Sequence, residues 1–135
     1  MDAQTKKIEL LVLDLQPRPG ALAEVFAGLR EAQVDILGCW AYQMGPERAH
    51  AYLYARDSAK AKAALGKLGR TVRTEQACYA LGTDRIGAFH DLLQKIANAG
   101  INLEATDALA IEGKYATVFW VDQKDTARLC QALGC

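Results

Sequence analysis

Two arginine and glycine pairs stand at matching places in the sequence and have the chemistry of an anion site. Gly20 comes two residues after Arg18, and Gly87 two residues after Arg85, so the pairs lie 67 residues apart. Each glycine precedes a stretch with helical apolar spacing, and the first N–H groups of a helix attract a carboxylate. The guanidinium adds paired hydrogen bonds, and glycine lets a ligand approach the backbone.

An acidic or amide side chain follows each predicted helix. Asp35 and Asn102 can accept hydrogen bonds from an ammonium group, and the carboxylate favours a charged amine more strongly than the amide does. These residues also have a structural interpretation, because glycines suit tight turns, arginines suit solvated loops, and Asp or Asn satisfies turn backbone groups. The sequence leaves both interpretations open.

The remaining polar residues give no support for catalysis. The two histidines, His50 and His90, have no Cys, Asp or Glu at ligand spacing, and no nucleophile or phosphate-loop motif is present. An acylphosphatase site would place an arginine where Arg18 stands, but Pro17 and Pro19 remove N–H donors that a phosphate cradle needs. We expect no enzyme activity, no metal site and no cofactor.

Four cysteines are spaced too widely to suggest metal ligands, since none forms a CxxC or a similar pair. In a reducing compartment we expect Cys39, Cys78 and Cys130 to be small buried apolar residues and Cys135 to be a loose thiol.

The 135-residue sequence has balanced charge, with 16 Lys and Arg against 16 Asp and Glu. Such balance argues against nucleic acid or an anionic membrane as partner, and Tyr52 and Tyr54 lack the basic surroundings of an RNA-binding sheet. Apolar runs are far shorter than the roughly 20 residues that cross a bilayer, and residues 1–7 are polar without a signal-peptide core. We expect a cytoplasmic protein.

An internal repeat with an offset of 67 residues places these side chains on matching elements. Apolar residues recur with the spacing i, i+3, i+4, i+7 in both halves, which predicts one buried helix face in each. Strands are predicted at residues 8–15, 35–42, 49–55 and 70–76, and at 77–82, 102–111 and 115–121. Second helices begin near Asp57 and Asp125, and the second half lacks a fourth strand. The aligned helical residues are Leu22, Val25, Phe26 and Leu29 with Phe89, Leu92, Leu93 and Ile96.

Each half therefore has the order strand, helix, strand, strand, helix, strand. This order predicts an α+β fold of two ferredoxin-like βαββαβ modules, each an antiparallel sheet with its helices on one face. The predicted modules are residues 1–76 and 77–135. No linker separates them, so we expect them to be closely coupled.

The segment RPGALAEVFAGL at residues 18–29, followed by VDI at 34–36, resembles the signature of the ACT domain family. In the second half, GINL at residues 100–103 is similar to the family's second-strand element, and Ile86 replaces the turn proline. The resemblance covers nearly the whole chain as two tandem modules. It implies binding of an amino acid or related metabolite between the turn of one module and the second strand of its neighbour. The residues it implies are Gln16, Arg18, Gly20, Ala21, Leu22 and Asp35, and Thr83, Arg85, Gly87, Ala88, Phe89 and Asn102.

We therefore expect a non-catalytic regulatory protein that binds a small amino acid. Binding would change its association with itself, with a metabolic enzyme or with a transporter. Small open sheets leave strand edges that a partner usually covers, which predicts a homodimer with sheets extended side by side. The alternative is a ligand-free protein–protein interaction module that pairs through the same edges.

Overall fold

The computed structural model describes residues 3–135 and shows an α+β chain with six strands and four helices in that range. A short 3₁₀ turn at Gln123–Asp125 precedes the last helix. The elements are β1 (Ala3–Leu15), α1 (Ala21–Glu31), β2 (Ile36–Gln43), β3 (Ala49–Ala55), α2 (Ser58–Lys67), β4 (Arg73–Thr83), α3 (Ala88–Asn98), β5 (Ala105–Ile111), β6 (Lys114–Trp120) and α4 (Thr126–Leu133).

The predicted helices at the repeat are confirmed. α1 and α3 each span 11 residues and begin 67 residues apart. Val25 and Leu29 on α1, and Leu92 and Ile96 on α3, are almost completely buried, as the apolar spacing predicts. Because these side chains lie three to four residues apart, each helix presents one apolar stripe.

The chain divides into two compact units, and the first consists of Glu9–Glu75. Its strands follow the order β2-β3-β1, with antiparallel pairing on both sides of β3. Alternate residues of β1 and β3 form one apolar cluster with both α1 and α2, so the two helices of this unit share one sheet face. The fully buried members include Leu11, Leu13, Leu53 and Leu65.

The second unit combines Gln76–Cys135 with residues 3–8 of β1. Its strands follow the order β1-β4-β6-β5, and β6 pairs antiparallel with both β4 and β5. The core joins α3 and α4 to β4 and β6 around Phe119, which is fully buried. Glu112 and Gly113 form the two-residue turn of the β5–β6 hairpin with φ values of 50° and 82°.

Two strand predictions differ from the structure. The sequence predicts separate strands at residues 70–76 and 77–82, but one continuous strand, β4, covers Arg73–Thr83. The first strand begins at Ala3 rather than at residue 8. The added part of β1 explains the fourth strand that the second half lacks, because residues 3–8 lie beside β4 in that unit.

The helix caps agree with the prediction at one place and differ at the other. Asp57 caps α2 by accepting a hydrogen bond from the Lys60 N–H at 3.1 Å. Asp125 makes no capping hydrogen bond to α4. Asp122 instead accepts from the Lys124 N–H at 3.0 Å and starts the 3₁₀ turn.

The cysteines are the main correction to the predicted core. Cys78 is buried, but Cys39 is exposed on β2, and Cys130 and Cys135 are joined by a disulfide. The expectations of a buried Cys39 and a loose Cys135 thiol are therefore wrong. β2 ends the strand order of its unit, which leaves its outer side uncovered. Within residues 3–135, no helix has both the length and the apolarity to cross a membrane.

Candidate functional site

The turn between β1 and α1 is fixed by backbone hydrogen bonds and one glycine. The Arg18 N–H donates to the Gln16 carbonyl at 2.8 Å, and the Ala21 N–H donates to the Arg18 carbonyl at 3.3 Å. Gly20 lies between them with φ of 84°, in the left-handed region that side chains with a Cβ avoid. The turn therefore delivers the Arg18 side chain and the start of α1 to the same place.

The first turn of α1 leaves backbone donors available. No side chain caps the helix, and the N–H groups of Leu22 and Ala23 have no hydrogen-bond partner within residues 3–135. The N-terminal N–H groups of a helix point along its axis and carry a partial positive charge. A carboxylate bound at this helix end would receive two hydrogen bonds.

A cavity of about 330 Å³ lies beside this turn. Its volume falls in the lower part of the roughly 300–1,000 Å³ range of small-molecule sites. One wall is the β1–α1 turn and the start of α1, and the other wall is the end of β2. The lining residues are Leu15, Gln16, Pro17, Arg18, Pro19, Ala21, Leu22, Ala41, Tyr42, Gln43 and Ala49.

Strand register explains why these two walls face each other. Ala49, the first residue of β3, is paired with Leu15 on one side and with Gln43 on the other. Neighbouring strands are about 4.8 Å apart, so the ends of β1 and β2 are separated by roughly 10 Å. Ala49 carries only a methyl group, and this leaves the space above it open.

Arg18 is engaged by a carboxylate of the protein itself. Its guanidinium makes two hydrogen bonds to the Glu24 carboxylate on α1, at 3.1 and 2.7 Å. These hydrogen bonds hold the pKa of the Glu24 carboxyl below its ordinary value. Both side chains are about half exposed, at 49% and 54%, so a ligand carboxylate in the cavity could compete with Glu24 for Arg18.

The second unit contains an equivalent cavity of about 380 Å³. The turn before α3 again contains a left-handed glycine, Gly87, with φ of 87°. The other wall is the end of β5, which corresponds to the end of β2. The lining residues are Asp84, Arg85, Gly87, Ala88, Phe89, His90, Ala108, Leu109, Ala110 and Tyr115.

The two cavities share their electrostatic arrangement but differ in polarity. Arg85 donates to the Asp91 carboxylate at 2.7 Å, which repeats the pairing six residues along seen for Arg18. This hydrogen bond lowers the pKa of Asp91. Phe89 is held by stacking on Phe119, with ring centroids 6.1 Å apart. The second cavity is therefore the more apolar of the two.

The structure brings most of the predicted residues together and leaves a few apart. Gln16, Arg18, Ala21 and Leu22 line the first cavity, and Arg85, Gly87, Ala88 and Phe89 line the second. Gly20 shapes the first turn without lining its cavity, and Thr83 ends β4 next to the lining residue Asp84.

Asp35 and Asn102 do not line the cavity of their own unit. Asp35 precedes β2, whereas the cavity lies at the opposite end of that strand. Its carboxylate accepts a hydrogen bond from Arg56 at 2.9 Å, and its carbonyl accepts from the Arg56 N–H at the same distance. Asn102 is exposed before β5. A ligand role for either residue therefore stays a prediction, and it requires the turn of a neighbouring module.

The cavity walls formed by the ends of β2 and β5 carry no signature in the sequence. Ala41, Tyr42 and Gln43, and likewise Ala108 to Ala110, are ordinary strand residues with no local motif. The usable signal is the predicted hairpin, because the last residue of the second strand pairs with the first residue of the third. That pairing, combined with the antiparallel neighbour β1, places the end of β2 beside the turn.

Comparison with known proteins gives the fold. No protein-family model matches the sequence, and no curated protein matches it. The structure of protein BT0572 from Bacteroides thetaiotaomicron superposes with a TM-score of 0.82 at 15% identity, over 96% of this chain and 90% of that chain. The regulatory subunit of aspartate kinase from Thermus thermophilus, in its ligand-free form, has a TM-score of 0.69 at 15% identity, over 99% and 95%. Aspartate kinase from Synechocystis has a TM-score of 0.60 at 20% identity, over 97% of this chain and 25% of that chain.

Proposed function

We propose that this chain is a non-catalytic regulatory protein built from two ACT-like modules, residues 1–76 and 77–135, that binds a small amino acid at the turns opening α1 and α3. The observation that carries the proposal is the repeated cavity. The same elements form it in both units, with Arg18 and Arg85 at equivalent positions and a left-handed glycine before each helix. A turn needed only for chain reversal has no reason to keep the arginine and the cavity in both copies.

The proposed ligand pose follows from the donors around the first cavity. The ligand carboxylate accepts from the N–H groups of Leu22 and Ala23 and from the guanidinium of Arg18, which leaves Glu24. Hydrogen bonds to charged groups contribute about 1.5–3 kcal/mol each when shielded from water. The ligand side chain points toward the end of β2, where Tyr42 and Gln43 form the wall.

The two modules are proposed to differ in preference. The first cavity is lined by Gln16, Tyr42 and Gln43, whereas the second has Phe89 and Leu109 at the corresponding wall. A polar or small side chain suits the first site, and an apolar side chain suits the second. In the arrangement implied by the family resemblance, Asp35 and Asn102 of a neighbouring module would accept from the ligand ammonium.

The regulatory part of the proposal is supported by the fold. One structure with this fold is the regulatory subunit of aspartate kinase from Thermus thermophilus, which the present chain matches over 99% of its length. By analogy, the ligand would change the association of this chain with itself as a homodimer, or with a metabolic enzyme or transporter. Fold analogy alone does not select among these partners.

A thermal-unfolding screen with the twenty amino acids tests the proposal. A ligand present at one hundred times its Kd, and binding only the folded state, adds about 2.7 kcal/mol of stability. For domains in this size range that corresponds to a rise in Tm of several degrees. We expect a selective rise with one or a few amino acids. No rise with any of them would contradict the proposal.

A second candidate function is a ligand-free interaction module, and it is favoured by the apolar edge strand β5. This strand ends the strand order of its unit, and Leu109 and Ile111 on it are 64% and 61% exposed. Exposed apolar edges attract further strands. A concentration-dependent dimer in sedimentation that Leu109→Lys abolishes, together with no amino-acid response, would favour this function.

A further inference from the structure

Three cysteines from separate parts of the sequence meet in the second unit. Cys78 lies on β4, Cys130 lies on α4, and Cys135 follows that helix. Their Sγ atoms all lie within 4.8 Å of one another. The sequence separations give no sign of this cluster, because it depends on the packing of α4 against β4.

The backbone after α4 brings the third cysteine into place. Gly134 has φ of 90°, and its N–H donates to the Cys130 carbonyl at 2.9 Å. The Cys135 N–H donates to the same carbonyl at 2.9 Å, which folds residue 135 back onto the helix end. The Thr5 hydroxyl donates to the Leu133 carbonyl at 3.1 Å and ties this end to β1.

We propose that Cys78, Cys130 and Cys135, once the disulfide between the last two is reduced, form a three-sulfur site for a single thiophilic metal ion of the Cu(I) type. Three thiolates at about 2.3 Å from a central ion in one plane lie about 4 Å apart, which is compatible with the observed spacing. Thiolate ligands select soft ions such as Cu(I), whereas structural Zn(II) sites have four protein ligands. Within residues 3–135, the cluster offers three ligands and no fourth.

The surroundings suit a metal thiolate. Cys78 is fully buried, Cys130 is half-buried and Cys135 is exposed, so an ion can enter from the Cys135 side. Burial raises the pKa of the Cys78 thiol to about 11, and the positive charge of Lys7 opposes that rise. An incoming cation would displace the thiol proton and supply the charge that burial otherwise disfavours. The Thr126 hydroxyl, one turn before Cys130 on α4, is buried without a hydrogen-bond partner in the described chain.

The disulfide makes the site dependent on redox state. A dithiol reductant transfers two electrons and two protons to the Cys130–Cys135 disulfide, whose S–S bond breaks to give two thiols while the reductant becomes a cyclic disulfide. Before that step Cys78 is the single free thiol of the cluster. Only the reduced chain therefore offers three ligands.

Competition with a chromophoric Cu(I) chelator under anaerobic conditions tests the site in the full chain. We expect the reduced protein to remove one equivalent of Cu(I) from the chelator, and the oxidised protein to remove none. Zn(II) in excess should not displace the bound Cu(I). X-ray absorption should show three sulfur neighbours around the copper.

Matched variants separate the site from adventitious thiol binding. Cys135→Ser changes an exposed residue, so it should keep the fold while lowering Cu(I) affinity at least roughly tenfold, a threshold taken from the 10- to 100-fold cost of lesser changes around metal sites. Cys39→Ser, which changes an exposed cysteine outside the cluster, should leave it unchanged. The proposal is overturned if no Cu(I) binds, if Cys135→Ser binds as tightly as the wild-type chain, if Cys39→Ser weakens binding equally, or if Zn(II) displaces the copper.

Discussion

The left-handed glycine before α1 offers the sharpest test of how the turn is held. An alanine Cβ at position 20 would have no atom within 4 Å, so Gly20→Ala introduces no steric contact. Its whole effect comes from the φ of 84°, where a residue with a Cβ is about 1–2 kcal/mol less stable than in the right-handed region. We expect Gly20→Ala to lower the free energy of unfolding by that amount.

Gly66 provides the matched control. It is exposed in α2, and a Cβ there would also have no atom within 4 Å. The helical backbone accepts alanine, so Gly66→Ala should raise the free energy of unfolding by about 0.4–1 kcal/mol. The two substitutions are chemically identical and are expected to have opposite signs, with a difference of about 1.4–3 kcal/mol.

Urea unfolding followed by circular dichroism measures both values. Gly87→Ala should behave like Gly20→Ala, because its φ is 87° and its Cβ would be in ordinary contact with Arg85 at 4.0 Å. If Gly20→Ala were neutral or stabilising, the turn would not be held in the left-handed conformation, and the position of Arg18 beside the start of α1 would lose its basis.

Two further predictions concern stability, and one concerns ligand response. Asp57→Ala removes the acceptor for the Lys60 N–H and should lower the free energy of unfolding by about 1 kcal/mol in the same urea assay. Asp35→Ala breaks an exposed ion pair with Arg56, so stability should change by less than about 1 kcal/mol, while the Tm response to the amino acid should be lost. Carboxyls with a lowered pKa stabilise the fold above their ordinary values of 4.5 for Glu and 3.8 for Asp, and this contribution is lost as pH falls from there through the folded pKa; acid titration of unfolding should show it, and Glu24→Gln should reduce it. The affected groups are Glu9, Asp14, Glu24 and Asp91.

The repeated helices could be predicted from the sequence because helical spacing is a local signal. Val25 and Leu29, and Leu92 and Ile96, carry the apolar stripe within a single turn or two. The β5–β6 hairpin was predictable for the same reason, since Glu112 and Gly113 supply the two positive φ values its turn requires.

The features missed by sequence reasoning depend on contacts between distant segments. Residues 3–8 join the unit that begins at Gln76, which no local pattern in a polar segment reveals. The cysteine cluster joins β4 to α4, and the cavity wall at the end of β2 depends on strand register. For the binding site, the turn was therefore predictable and its opposite wall was not.

Calorimetric titration of the amino acid that gives the largest Tm rise tests most directly whether the turns bind it. If they do, Arg18→Gln or Arg85→Gln should remove hydrogen bonds to its carboxylate and cost about 1.5–3 kcal/mol, which is roughly 10- to 150-fold in Kd. The acid variant of the same unit, Glu24→Gln or Asp91→Asn, should tighten binding because it frees the arginine. Unchanged affinity in both arginine variants would contradict the proposed site.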